Sequence, residues 1–152
     1  MHHVILVLHS IFRWVVLLLL LYAIYRSWRG YLFKIPFTKA DNSIRHWTAT
    51  IAHIQLIFGI ILYTQSPVAK ALFSEIGNGY SDPVFFGLIH ITLMLTAIIL
   101  ITIGSAKAKR KPVDNDKFKT ILTWFTVGLI IIFIAIPWPF SPLAQRPYLR
   151  HF

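Results

Sequence analysis

Residues 4–25 read VILVLHSIFRWVVLLLLLYAIY, twenty-two positions broken only by His9, Ser10 and Arg13. At about 1.5 Å per residue a helix of this length crosses a hydrocarbon layer roughly 30 Å thick. The run is preceded by Met1, His2 and His3 and followed by Arg26, the reverse of the flanks of a secretory signal. It is expected to be retained as a membrane span. Three more apolar runs follow, which puts the spans at about 4–25, 45–65, 83–104 and 118–136. The second carries His53 and Gln55 and is expected to start near Asp41, Asn42 and Ser43, all good N-cap residues. The third has Asp82 before Pro83 at its first turn, and the fourth stops where Pro137 and Pro139 break it. A short interfacial helix is expected around Val68 to Ile76, ended by Gly77 and Gly79.

The whole chain agrees with that reading. Of 152 residues, 57% are apolar and 13% charged, about half the charge of a soluble domain. The expected fold is all-α, an integral membrane four-helix transmembrane bundle, with residues 1–152 as a single membrane domain and no internal repeat. The absence of cysteine excludes disulfides, thiolate metal sites, iron-sulfur clusters and covalently attached c-type haem.

Orientation follows from the lysines and arginines of the connections. The segment from Arg26 to Arg45 holds five and that from Lys107 to Lys119 six, against Lys70 alone between Thr64 and Asp82, and Arg146 and Arg150 in the tail. The positive-inside rule makes both basic loops cytoplasmic and puts both termini on the non-cytoplasmic side. This accounts for the net charge of +10 and leaves no soluble domain for nucleic acid. Tyr63, Tyr80, Trp138, Phe140 and Tyr148 are expected to form an outer aromatic belt, and Tyr22, Tyr25, Trp28 and Trp47 an inner one.

Ionisable groups inside spans are costly, about 2.5–3.5 kcal/mol for a central arginine on insertion scales. Four call for explanation: His9 and Arg13 in the first span, His53 in the second and His90 in the third. His9 and Arg13 are four residues apart and lie on one helix face, as do His90 and Met94, with Gly87 a turn from His90 allowing a close approach. Gln55, about 200° round the helix from His53, is expected to face a different neighbour. Depth sorts the histidines, because alternate helices run in opposite directions. His9 lies roughly 9 Å and His90 roughly 10 Å from the outer boundary, whereas His53 lies about 18 Å from it. Two imidazoles at one depth on different helices suit the axial ligation of one haem b per chain, and Arg13 suits its propionates. Pairing of His53 with either of the others is the second choice. The bland alternative is that each histidine hydrogen-bonds a carbonyl or threonine, with Thr50, Thr92 and Thr96 at hand.

Several of these residues also carry a likeness. The stretch LHSIFRWVVLLLLL with His9, Ser10, Arg13 and Trp14, then HIQLIFGIILY from His53, HITLMLTAIILITIG from His90 with the following SAKAKRK, and IPWPF at 136–140 resemble a family of small bacterial four-helix membrane proteins described as cytochrome b or cytochrome b-like. The resemblance covers most of the chain. It implies a haem-binding bundle of the bacterial cytoplasmic (inner) membrane and singles out His9, Arg13, His53 and His90. The sequence departs from the family pattern at Gly87 to Ile89, where an acidic residue is expected just before the histidine, which removes a possible partner for Arg13 or His90.

Two functions of different classes stay open. One is a b-type cytochrome that relays electrons, with a quinone or a redox protein as partner. The other is a non-catalytic accessory subunit of a larger membrane complex or homo-oligomer. Either is closer to a carrier or complex subunit than to a stand-alone enzyme. A pocket for a bare metal ion built from His9, His53, His90 and Met94 ranks third, because depth separates His53.

Overall fold

The computed structural model describes residues 2–72 and 81–140. Helix α1 (His2–Leu32) is followed by α2 (Lys39–Gln65), a short α3 (Pro67–Lys70), α4 (Asp82–Arg110) and α5 (Asp114–Ala135). Four of them, α1, α2, α4 and α5, are long and apolar enough to cross a membrane. Leu18, Leu21, Ile57, Ile99, Ile130 and Phe133 are exposed on their outward faces, a surface that suits lipid.

The helices outrun the apolar runs at the end where lysine and arginine gather, the basic end. There α2 begins earlier than the candidate caps suggest. Its N-cap is Thr38, and Asp41 is the N3 residue of a reciprocal capping box. Asp41 can serve in this way because it sits three positions after a threonine, the S/T-x-x-acid spacing of such boxes. One carboxylate oxygen, Oδ2, accepts from the Thr38 amide and hydroxyl at 3.0 and 2.7 Å, and Oδ1 accepts from Arg26 Nε and Nη2 at 3.1 and 2.7 Å. Asp41 thus caps α2 and ties it to α1. The Thr38→Ala substitution is expected to cost about 1 kcal/mol, read as a lower unfolding midpoint in detergent.

Around the bundle α1 packs on α2 and α5, and α4 packs closely on α5 and more loosely on α2. Small residues bring the backbones together toward the basic end. A Cβ on Gly104 would run into the Cβ of Trp124, and one on Gly30 into the Phe118 ring. Ala23, Ala49, Ala52, Ala97 and Ala108 are buried nearby. Close approach of this kind is the usual way membrane helices gain contact when no hydrophobic effect drives them together. Arg45, 5% exposed, crosses from α2 to donate to the Ser105 hydroxyl and carbonyl of α4, with its other nitrogens on Asn42 Oδ1.

Toward the other end the packing opens, and two local features shape it. Helix α4 starts as α-helix over Asp82–Val84, widens to a π-turn over Phe85–Ile89 and resumes α geometry over His90–Arg110. The His90 amide reaches back five residues to the Phe85 carbonyl. In this turn the Gly87 carbonyl accepts from the Tyr63 hydroxyl at 3.1 Å. The expected close approach at Gly87 is met by Leu72, just beyond α3, whose Cβ would lie 3.0 Å from a Cβ there. The first part of the expected interfacial helix is present as α3, and its continuation with Gly77 and Gly79 lies outside the described residues.

Helix α5 ends at Ala135, ahead of Pro137, and its last carbonyls find partners. Ile132 O accepts from the Ile136 amide at 3.0 Å and Phe133 O from Trp138 Nε1 at 2.8 Å. That bond folds Trp138 back on the bundle, where it packs edge-on to Trp14 and is 8% exposed. Trp138, expected in the outer belt, is thus buried, and Tyr63 of the same belt is half-buried with its hydroxyl on Gly87 O. Tyr22, Tyr25, Trp28, Trp47 and Phe140 are exposed as that reading expects; Tyr80 and Tyr148 lie outside the described residues.

Candidate functional site

In the open half a cavity of about 340 Å³ lies between α1, α2 and α4, bounded by α3 and the end of α5. This is within the range of small-molecule sites. Its polar groups come from three helices. Helix α1 gives His9, Ser10 and Arg13, α2 gives Gln55 and Tyr63, and α4 gives His90. Leu56, Ile91, Met94, Ile98 and Ile132 supply apolar wall.

The four-residue spacing of His9 and Arg13 on α1 sends both to the cavity, and that of His90 and Met94 does the same on α4. His9, Arg13 and His90 thus line the same cavity. The Arg13 guanidinium also lies 5.7 Å from the centroid of the Trp14 ring, a cation–π distance. His53 is elsewhere. It is exposed, with Nε2 at 2.9 Å from Thr102 Oγ1 on α4, a cross-helix hydrogen bond of the bland kind, made to a threonine other than the three at hand in the sequence reading. Thr50 and Thr96 bond carbonyls one turn back in their own helices.

The two cavity imidazoles are held differently. His90 Nδ1 lies 2.8 Å from the Ala135 carbonyl, one of the last carbonyls of α5. A carbonyl only accepts, so Nδ1 carries the proton and Nε2 keeps its lone pair. His9 meets α2. Gln55 Nε2 donates to the His9 backbone carbonyl at 3.0 Å and lies 3.4 Å from His9 Nε2. His9 Nδ1 and Gln55 Oε1 are buried with no hydrogen-bond partner among the described residues.

Gln55 is the site residue that sequence reasoning passed over. Its angle from His53 shows that the two face different neighbours. In the bundle α2 lies between α1 and α4, so one side of it serves each. Which side meets His9 is a property of helix order and is absent from the spacing. The π-turn before His90 has no sequence signature either.

Among the described residues no group of three or more His, Asp or Glu converges as a metal-ion site. Two imidazoles on different helices could instead hold a haem. The residues fit that group. His90 offers a lone pair in a tautomer fixed by a backbone carbonyl, the His9 imidazole borders the same cavity, Arg13 can hold carboxylates, and the wall is aliphatic.

Comparison with known protein families, with characterised proteins and with solved structures finds no match to this chain. The class is defined by geometry alone: a four-helix bundle of membrane-spanning dimensions with a cavity between its helices that gathers two imidazoles and a guanidinium.

Proposed function

We propose that this chain is a b-type cytochrome-like protein of the bacterial inner membrane, with both termini outside, that binds one haem b between His9 and His90 and relays electrons. The observation that carries the reading is the His90 imidazole, which gives Nδ1–H to Ala135 O and keeps Nε2 for a ligand, in a cavity shared with His9 and Arg13. A bound haem supplies reversible one-electron chemistry. The chain's own residues do the rest. The Ala135 carbonyl fixes the His90 tautomer, Arg13 neutralises carboxylates, and the apolar wall excludes water and so helps to set the potential. Electron relay needs no general acid.

The test is the oxidised and dithionite-reduced absorption spectrum of the detergent-purified chain, with haem quantified as the pyridine complex. Near-stoichiometric haem b is expected, lost in His9→Ala and in His90→Ala and retained in His53→Ala. Haem lost with His53→Ala and kept in either of the others overturns the ligand pair. No haem in protein extracted gently from its native membrane overturns the cytochrome, and a tightly copurifying chain would then favour the accessory subunit.

A further inference from the structure

The bond pattern around His9 is internally inconsistent for a resting histidine. The nitrogen of a carboxamide has only hydrogens to offer, so His9 Nε2, 3.4 Å from Gln55 Nε2, faces it as a lone pair. The ring proton then sits on Nδ1, where it has no acceptor among the described residues. The opposite tautomer sets N–H against N–H. Turning the carboxamide over does not help, because Gln55 Nε2 also donates to the His9 carbonyl at 3.0 Å, and an oxygen there would oppose an oxygen. A buried donor and a buried acceptor are left over in one residue pair, His9 Nδ1 and Gln55 Oε1, a costly arrangement that asks for another state.

We infer that Gln55 is the positioning residue for His9 as a ligand: with the His9 ring turned so that Nε2 faces the cavity, Nδ1–H donates to Gln55 Oε1 while Gln55 Nε2 keeps its bond to the His9 carbonyl. One ring movement pairs both leftover atoms with each other and frees Nε2. The Nδ1–Cε1 edge of the ring lies along Gly59, where a Cβ would stand 3.4 Å from Cε1 and 3.9 Å from Nδ1. The clasp matches that of His90, whose Nδ1–H is held by Ala135 O. The two imidazoles would thus be oriented by a side-chain and a backbone oxygen respectively, the usual second layer around a histidine ligand. The inference rests on the haem reading and goes beyond it by assigning a residue of α2 that ligates nothing.

The experiment compares the wild-type chain with Gln55→Leu and Gln55→Glu, each purified with its haem, by spectroelectrochemical midpoint potential and by the rate of haem loss to a scavenger. Gln55→Leu removes the acceptor, so haem is expected to leave at least about ten-fold faster and the potential to rise. Gln55→Glu puts an anion on the same ring N–H, makes the imidazole a stronger donor and favours ferric iron. Its potential is expected to fall, with a ten-fold shift of the ferric/ferrous ratio, about 59 mV for one electron. Shifts of opposite sign cannot come from loosened packing alone. Should Gln55→Leu not fold, the isosteric Gln55→Glu decides by the direction of its shift. Haem in the wild type with both potentials unmoved, or moved the same way, overturns the clasp alone. A wild type that takes up no haem overturns the cytochrome reading and this inference with it.

Discussion

The Gly104→Ala protein is expected to unfold far more readily in detergent than the wild type, by about 3 kcal/mol, the upper part of the usual range for overpacking. The reason lies in which atoms a new methyl would meet. They are Cβ and Cγ of Trp124 on α5, and a Cβ is fixed to its backbone, so no rotamer clears the overlap and the two helices have to move apart. Gly128→Ala is the control. Its methyl would meet Ile101 Cγ1 at 2.7 Å and Cδ1 at 3.1 Å, atoms beyond Cβ that can shift without moving the backbone, and a smaller cost, about 2 kcal/mol, is expected. Unfolding titrations of the two variants in one detergent separate these cases. Equal midpoints would mean that α4 and α5 do not touch at Gly104.

The second large effect concerns Arg45, where the chemically closest replacement is expected to be the worse one. Arg45 is buried, and its acceptors are all neutral: the Ser105 hydroxyl and carbonyl, and Asn42 Oδ1. The guanidinium works there because its donors lie in a planar fork that can face α4 and the α2 turn at once, and because it is weakly hydrated for a cation. Arg45→Lys keeps the charge, concentrates it on one nitrogen and cannot span both sets of acceptors. A loss of about 3 kcal/mol is expected, as for a buried charge stripped of compensation. Arg45→Met fills similar space with no charge and is expected to cost less, its penalty being the unmet Asn42 and Ser105 oxygens. A ranking by unfolding midpoint with Lys above Met would refute this account of the site.

The spans could be read from the sequence because apolar length is a one-dimensional property, and Val4 to Tyr25 states it without help from any neighbour. That His9 and His90 could line one cavity was legible for a related reason, because depth along a helix is a count of residues. His53 is set apart by its face of α2, since Gln55, two residues on, reaches His9. Direction around the helix is different. Gln55 reaches His9 because α2 stands next to α1, and Trp138 turns inward because the α5 terminus has a carbonyl to offer its indole. Neither follows from periodicity. Asp41 was seen as a cap, yet the cap itself is Thr38, three positions earlier. The two roles of a capping box are written in the same residue types, and only the closed ring of hydrogen bonds tells them apart. The ring at Asp41 also takes in Arg26, fifteen residues away in another helix.

The π-turn at Phe85–Ile89 gives α4 two registers. Beyond it, from His90 onward, the helix keeps the phase that seats Gly104 on Trp124; within it, Gly87 is turned toward Leu72 and Tyr63. A helix of uniform pitch would tie these together, so that any change seating one contact better would rotate the other out of place. The single widened turn acts as a slip joint between them. The roof over the cavity and the grip at the basic end can therefore vary independently, with His90 fixed at the junction.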